Sequence, residues 1–293
     1  MKILATLLLA FSAGLAQAAL PAVASTTAGA MLLREVGGSA VSVVTLAPPD
    51  RDVHTLQVKP SMMQALRRAR LLVAVGAELE SGWLPLAANS AANPAILPGQ
   101  KGYFEIAAQV ALIGREAADR SRGDVHPAGN PHVQMDPLRM AEAGLALAER
   151  LAQLDPAHAA DFRANAQRFQ KDVQARLPQW QQQLAGVPGV LLYHRDADYL
   201  MDRFKVPVLG YVEVLPGVPP TAAHLAQLVN QLKGRRGVIL HTNFQSGRGL
   251  DTLAQQLGWP NIALPLDPPA NADGAAYLAL IGQWVQAIAA GKA

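Results

Sequence analysis

Cysteine is absent from all 293 residues. That excludes disulfides, thiolate metal ligands and thioether attachment of haem, and it removes the residue on which an N-terminal lipid anchor would be built. A metal site in this chain must therefore rely on imidazole and carboxylate. Aromatic residues are scarce at 5%, and the formal charge is only +3, with the basic residues scattered. A nucleic-acid surface would need a basic stripe with aromatics among it, so no nucleic-acid partner is expected. Beyond the N-terminus no stretch reaches the ~18 uninterrupted apolar residues that a membrane-spanning helix requires. Hydrophobic side chains, by contrast, make up 51% of the chain. That is enough for one large domain or two ordinary ones around a sizeable core.

The first residues have a processing pattern. Met1-Lys2 is a short basic start, residues 3–11 are apolar, and Ala16-Gln17-Ala18 is a small-x-small site. This predicts a cleaved secretory signal over 1–18, a mature chain starting near Ala19, and a periplasmic destination. The apolar run is too short to span a bilayer.

Strand and helix signals alternate in the mature chain. Residues 22–25, 41–46 and 71–75 read as strands; 27–36 and 61–69 read as helices, the second with Ser61 as N-cap. A second block has strands expected over 190–193, 206–210, 237–240 and 262–264. Helices are expected there over 196–204, 221–232, 249–257 and 275–290. Such alternation argues for parallel sheets covered by helices. Between the blocks, Phe162, Phe169, Val173, Leu177, Trp180 and Leu184 recur at helical spacing on one face. Asp155 can cap this helix and Pro156 fits its first turn, while Pro178 predicts a bend or break near 176–178. The fold class is thus α/β, with two lobes, each a mainly parallel sheet flanked by helices, joined by one long linker helix. The expected boundaries are 19–154 for the first lobe, 155–186 for the linker and 187–293 for the second lobe.

Three of the seven histidines stand in loops rich in Pro, Gly, Asn and Asp, next to predicted strands. His54 follows the strand at 41–46, His132 lies in Gly129-Asn130-Pro131-His132, and His194 ends the strand at 190–193. Open α/β sheets bind ligands beyond the carboxyl ends of their strands, so these imidazoles can converge in a cleft. Zinc suits them, since neutral imidazole is among its commonest ligands. Spacing alone does not separate that reading from ordinary surface or capping histidines.

Five segments, in order, carry more information. Asp52-Val53-His54 with Lys59-Pro60-Ser61, the run Val75-Gly76-Ala77-Glu78-Leu79-Glu80-Ser81-Gly82-Trp83-Leu84, and Asn130-Pro131-His132 with Met135-Asp136-Pro137 come first. Tyr193-His194 with Tyr199-Leu200, and Glu213-Val214-Leu215-Pro216-Gly217-Val218-Pro219-Pro220, complete the set. Together they resemble the periplasmic zinc- and manganese-binding proteins of ABC importers, the ZnuA/TroA-like solute-binding family, over most of the mature chain. The resemblance implies two α/β lobes bridged by a long helix, with the metal between them on three histidines and a carboxylate. Carried over, the ligands are His54, His132 and His194, with Asp267 in Leu264-Pro265-Leu266-Asp267-Pro268 as the fourth.

Some positions depart from the family pattern. Val53 stands for a proline before the first histidine, Gln134 for an aromatic after the second, and Thr242, beside His241, for a glutamate. His126 is expected as a supporting donor or at the mouth of the site, and His241 as a loop histidine near the cleft. The long His- and acid-rich loop of many zinc-specific relatives is reduced here to 114–128, with one histidine. Zinc is still expected over manganese, because the donor set is rich in imidazole; copper or nickel would also bind it in vitro.

The expected function is capture without chemistry: a monomer that binds a zinc ion as cargo and delivers it to the permease of an ABC importer. No catalytic residue is assigned. The rival readings are a zinc-dependent hydrolase with an open coordination position, which would need a general base that no motif supplies, and a binder of a larger metal chelate on the same architecture.

Overall fold

The computed structural model describes residues 18–115, 126–215 and 217–292. The signal expected over 1–18 lies outside the described residues except for Ala18, and so does most of the loop at 114–128.

The first lobe runs β1 (Leu20–Ala24), α1 (Thr27–Gly37), β2 (Val41–Thr45), α2 (Pro60–Arg68), β3 (Leu71–Ala74), α3 (Leu84–Ser90) and β4 (Tyr103–Glu105). Its strands are parallel in the order β2-β1-β3-β4. After α4 (Pro137–Leu154) and α5 (Ala159–Leu184) come β5 (Val190–Leu192), α6 (Asp198–Phe204), β6 (Val208–Tyr211), α7 (Ala222–Leu232), β7 (Val238–Thr242), α8 (Leu250–Leu257) and β8 (Asn261–Leu264). These strands form a second parallel sheet with the matching order β6-β5-β7-β8, and α9 (Gly274–Ala289) closes the chain. Both β3 and β5 are buried at every position, as expected of parallel strands covered on both faces. In each sheet the chain steps outward once from its first strand and then crosses back. That reversal opens a crevice at the carboxyl ends of the strands.

Local chemistry explains most boundaries. The Thr26 hydroxyl accepts from the Gly29 amide at 3.1 Å and starts α1. Helix α2 begins one residue before Ser61, because Pro60 fits a first helical position; Ser61 therefore lies inside the turn and is not its cap. The short β4, α3 and the 18-residue α4 are elements that the sequence reading passed over.

Helix α5 links the lobes as one 26-residue element, and the break expected near Pro178 does not occur. Pro178 removes the bond to the Gln174 carbonyl, but both residues are exposed and water can serve that oxygen. Beyond it, Trp180 and Leu184 are buried, and Trp180 packs edge-on against Phe204 with ring centroids 6.4 Å apart. That packing holds the last turns in place.

A single large hydrophobic cluster runs from the first sheet through α4, α5 and α9 to one face of the second sheet. A smaller one, around Leu191, Leu228, Ile239 and Leu253, fills the other face under α7 and α8.

Candidate metal centre

The candidate ligands come from four places, three of them in segments that follow strands. After β2, the Asp52 carboxylate accepts from the His54 amide at 2.9 Å and caps a short 3-10 turn over Val53–Thr55. The same oxygen accepts from His54 Nδ1 at 2.8 Å. Because a carboxylate only accepts, Nδ1 carries the proton and Nε2 is the nitrogen with a lone pair. After β5, His194 is arranged likewise, with Nδ1 donating to Glu213 Oε2, beyond β6, at 2.9 Å. His132 does not follow a strand directly. It precedes the 3-10 turn Val133–Met135 that leads into α4, and its amide donates to Asn130 Oδ1 at 2.9 Å.

The three imidazoles meet. Ring centroids are 5.5 Å apart for His54 and His132, 5.5 Å for His132 and His194, and 6.2 Å for His54 and His194. Asp267, three residues past β8, lines the same cavity of about 200 Å³ together with Asp196, Glu213 and Gln245. His132 is 3% exposed, and neither of its ring nitrogens has a hydrogen-bond partner; Asp267 Oδ1 is likewise buried and unpartnered. Leaving such groups unpaired costs on the order of 1–3 kcal/mol each, which a coordinated cation would offset.

Charge in the cavity is mutually adjusted. Burial, then the nearby Asp196 and Glu80, push the Asp267 carboxyl up to about 7. Burial also raises Asp196, against the pull of His194 and a hydrogen bond from Gln245. Burial alone would lower His194, but Asp196 and the Glu213 hydrogen bond outweigh it and hold the imidazole at about 9. His132 is driven well below the usual histidine range by burial and by the other imidazoles.

His126 approaches His54, their ring centroids 5.3 Å apart. Its Nε2 lies 3.2 Å from His54 Nε2, and its Nδ1 donates to the Ala77 carbonyl at 3.1 Å. His241 does not line the cavity; its Nδ1 meets the Thr242 carbonyl at 3.1 Å. His158 and His224 are part-buried and paired with Asp155 and the Tyr211 carbonyl. Glu80 is structural: it accepts from Ser25 Oγ at 2.5 Å and from the Val75 and Gly76 amides. The left-handed turn at Gly76, Ala77 and Glu78 carries it back under the strand end. Trp83 is in the core, its indole N–H on the Val53 carbonyl at 2.7 Å.

Sequence reasoning missed Asp52, Asp196, Glu213 and Gln245 as site residues. Asp52 and Asp196 lie two positions from a histidine and were visible as neighbours. Gln245 had no local signal.

Similar proteins share this architecture. A ZnuA crystal structure superposes with a TM-score of 0.76 at 21% identity, covering 92% of this chain and 99% of that one. The SBP FpvC from Pseudomonas aeruginosa, solved in complex with Mn2+, gives 0.75 at 19% identity, covering 93% and 98%. In sequence, the high-affinity zinc uptake system protein ZnuA of Yersinia pestis is 26% identical over 208 residues, 66% of this chain and 65% of that protein. The matched part thus spans about two thirds of that relative's length. The model of the family described as zinc-uptake complex component A, periplasmic, matches residues 22–291, and the chain belongs to this ZnuA family.

Proposed function

We propose that this protein captures one zinc ion between its lobes, on His54, His132, His194 and Asp267, and delivers it to the permease of an ABC importer. The observation that carries this reading is the meeting of three imidazoles around His132, a fully buried ring with both nitrogens unpartnered. Family membership supports the same reading. Binding proceeds without chemistry, so the protein acts as a carrier and not as an enzyme. Zinc is the cargo because imidazole outnumbers carboxylate among these ligands. The chain acts as a monomer in the periplasm, which it reaches on a cleaved signal over 1–18, and it docks both lobes on the permease.

Calorimetric titration of the mature protein tests the proposal. About one zinc per chain is expected, and His194→Ala should lose at least about 100-fold in affinity. A stoichiometry far from one, or wild-type affinity in that variant, would overturn it.

A further inference from the structure

We propose that Asp196 is a further ligand of the captured ion, so that the site presents two carboxylates and accepts oxygen-preferring divalent cations such as manganese more readily than a three-histidine, one-aspartate set would. This inference rests on the binding reading above and deepens it.

Geometry supplies the argument. Asp196 lies two residues past His194, in the 3-10 turn Arg195–Ala197, and is 5% exposed. Its Oδ1 stands 3.6 Å from His132 Nε2. That is too long for a hydrogen bond, whose N···O distance stays within about 3.2 Å. It falls within the ~2.8–3.8 Å that separates neighbouring ligand atoms each ~2.0–2.2 Å from one ion at the ~90–120° angles of a five-coordinate site. Donor atoms of His132, His194 and Asp196 all lie within 4.8 Å of one another.

The other carboxylate oxygen is occupied. Oδ2 accepts from Gln245 Nε2 at 2.6 Å, and the Gln245 amide is itself oriented by the Thr242 N–H on its Oε1 at 2.8 Å. Gln245 therefore holds Oδ2 and leaves Oδ1 directed at His132. The unpartnered atoms of His132 and of Asp267 border the same space. Two carboxylates would bring a divalent ion to formal neutrality in a buried site, where residual charge is costly. A second oxygen donor also shifts preference toward manganese relative to zinc.

The test compares wild type, Asp196→Asn, Asp196→Ala and His194→Ala in competition titrations with zinc and with manganese, alongside visible spectra of the cobalt(II) forms. Ion-free melting curves establish that each variant is folded. Both Asp196 variants should lose about 100-fold or more in manganese affinity and about tenfold in zinc affinity. The cobalt spectrum should move from weak bands of higher coordination to intense tetrahedral bands. If folded Asp196 variants keep both affinities and the wild-type spectrum, while His194→Ala loses the ion, Asp196 is not a ligand and the carrier reading stands. Should wild type and His194→Ala bind alike, the carrier reading itself fails.

Discussion

Two imidazoles of the cleft, His54 and His194, are each held by a carboxylate that sets which nitrogen can bind. For His194 that partner is Glu213, at 2.9 Å from Nδ1. Glu213→Gln weakens the acceptor and frees the ring to rotate, so zinc affinity should fall about 10–100-fold in competition titrations with no loss of fold. His194, held at about 9, carries two protons at pH 7.5 and must release one to ligate. Calorimetry in buffers of different ionisation enthalpy should therefore record close to one proton released per zinc; its absence would remove His194 from the ligand set. Asp267 behaves in the opposite direction from a surface carboxylate. Its folded pKa of about 7 lies above the ordinary value of 3.8, so the stability it contributes is complete below about pH 4 and is lost as pH rises through 7. In ion-free protein at pH 8, Asp267→Asn should be more stable by on the order of 2–4 kcal/mol, with the gap closing near pH 4. The same variant should lose the stabilisation that zinc confers, read as the shift in melting temperature on adding the ion.

At the scale of elements, the linker helix is the informative case. Its apolar stripe was legible from Phe162 to Leu184 because helical periodicity is a local property. Of the bend or break expected at Pro178, the break does not form, because tolerance of an interior proline depends on where solvent lies. Pro178 and Gln174 face water, while Val173, Trp180 and Leu184 are buried. Pro178→Ala restores one backbone bond at an exposed site. It should raise stability by about 1–3 kcal/mol, measured by denaturant unfolding, and leave zinc affinity unchanged. Helix α4 was passed over although Met140, Ala143, Gly144, Leu147 and Leu151 recur at helical spacing on its buried face.

Across the whole molecule, the lobes are tied together by more than the linker. The Gly274 amide at the start of α9 donates to Glu35 of the first lobe at 2.9 Å, and the Tyr277 hydroxyl donates to the Gln134 carbonyl at 2.7 Å. Asp136, fully buried at the start of α4, is paired with Arg139 and with Arg203 of α6, the latter at 2.7 Å. Tyr199 donates to the Asn130 carbonyl at 2.6 Å, and Asn130 Nδ2 to the Arg195 carbonyl at 2.8 Å, so the loops carrying His132 and His194 are joined directly. With one hydrophobic cluster shared by both lobes, thermal unfolding should be a single calorimetric transition. Two separated transitions would show that the lobes unfold independently. Arg203→Ala leaves Asp136 with one cationic partner fewer in a dry site, and should cost about 2 kcal/mol, or a few degrees in melting temperature.

Periodicity and the ordered motifs were enough to read the two parallel sheets and the connecting helix from the chain alone, because each element is written in residues close together in sequence. Folding alone decided which carboxylates share the cavity. Asp196 and Asp267 are 71 positions apart, yet Asp267 titrates in the field of Asp196. The orientation of Asp196 comes from Gln245, and that of His194 from Glu213. Such pairings depend on how two separate sheets align their strand ends across an interface, and electrostatic coupling follows distance in space, for which spacing along the chain is no guide.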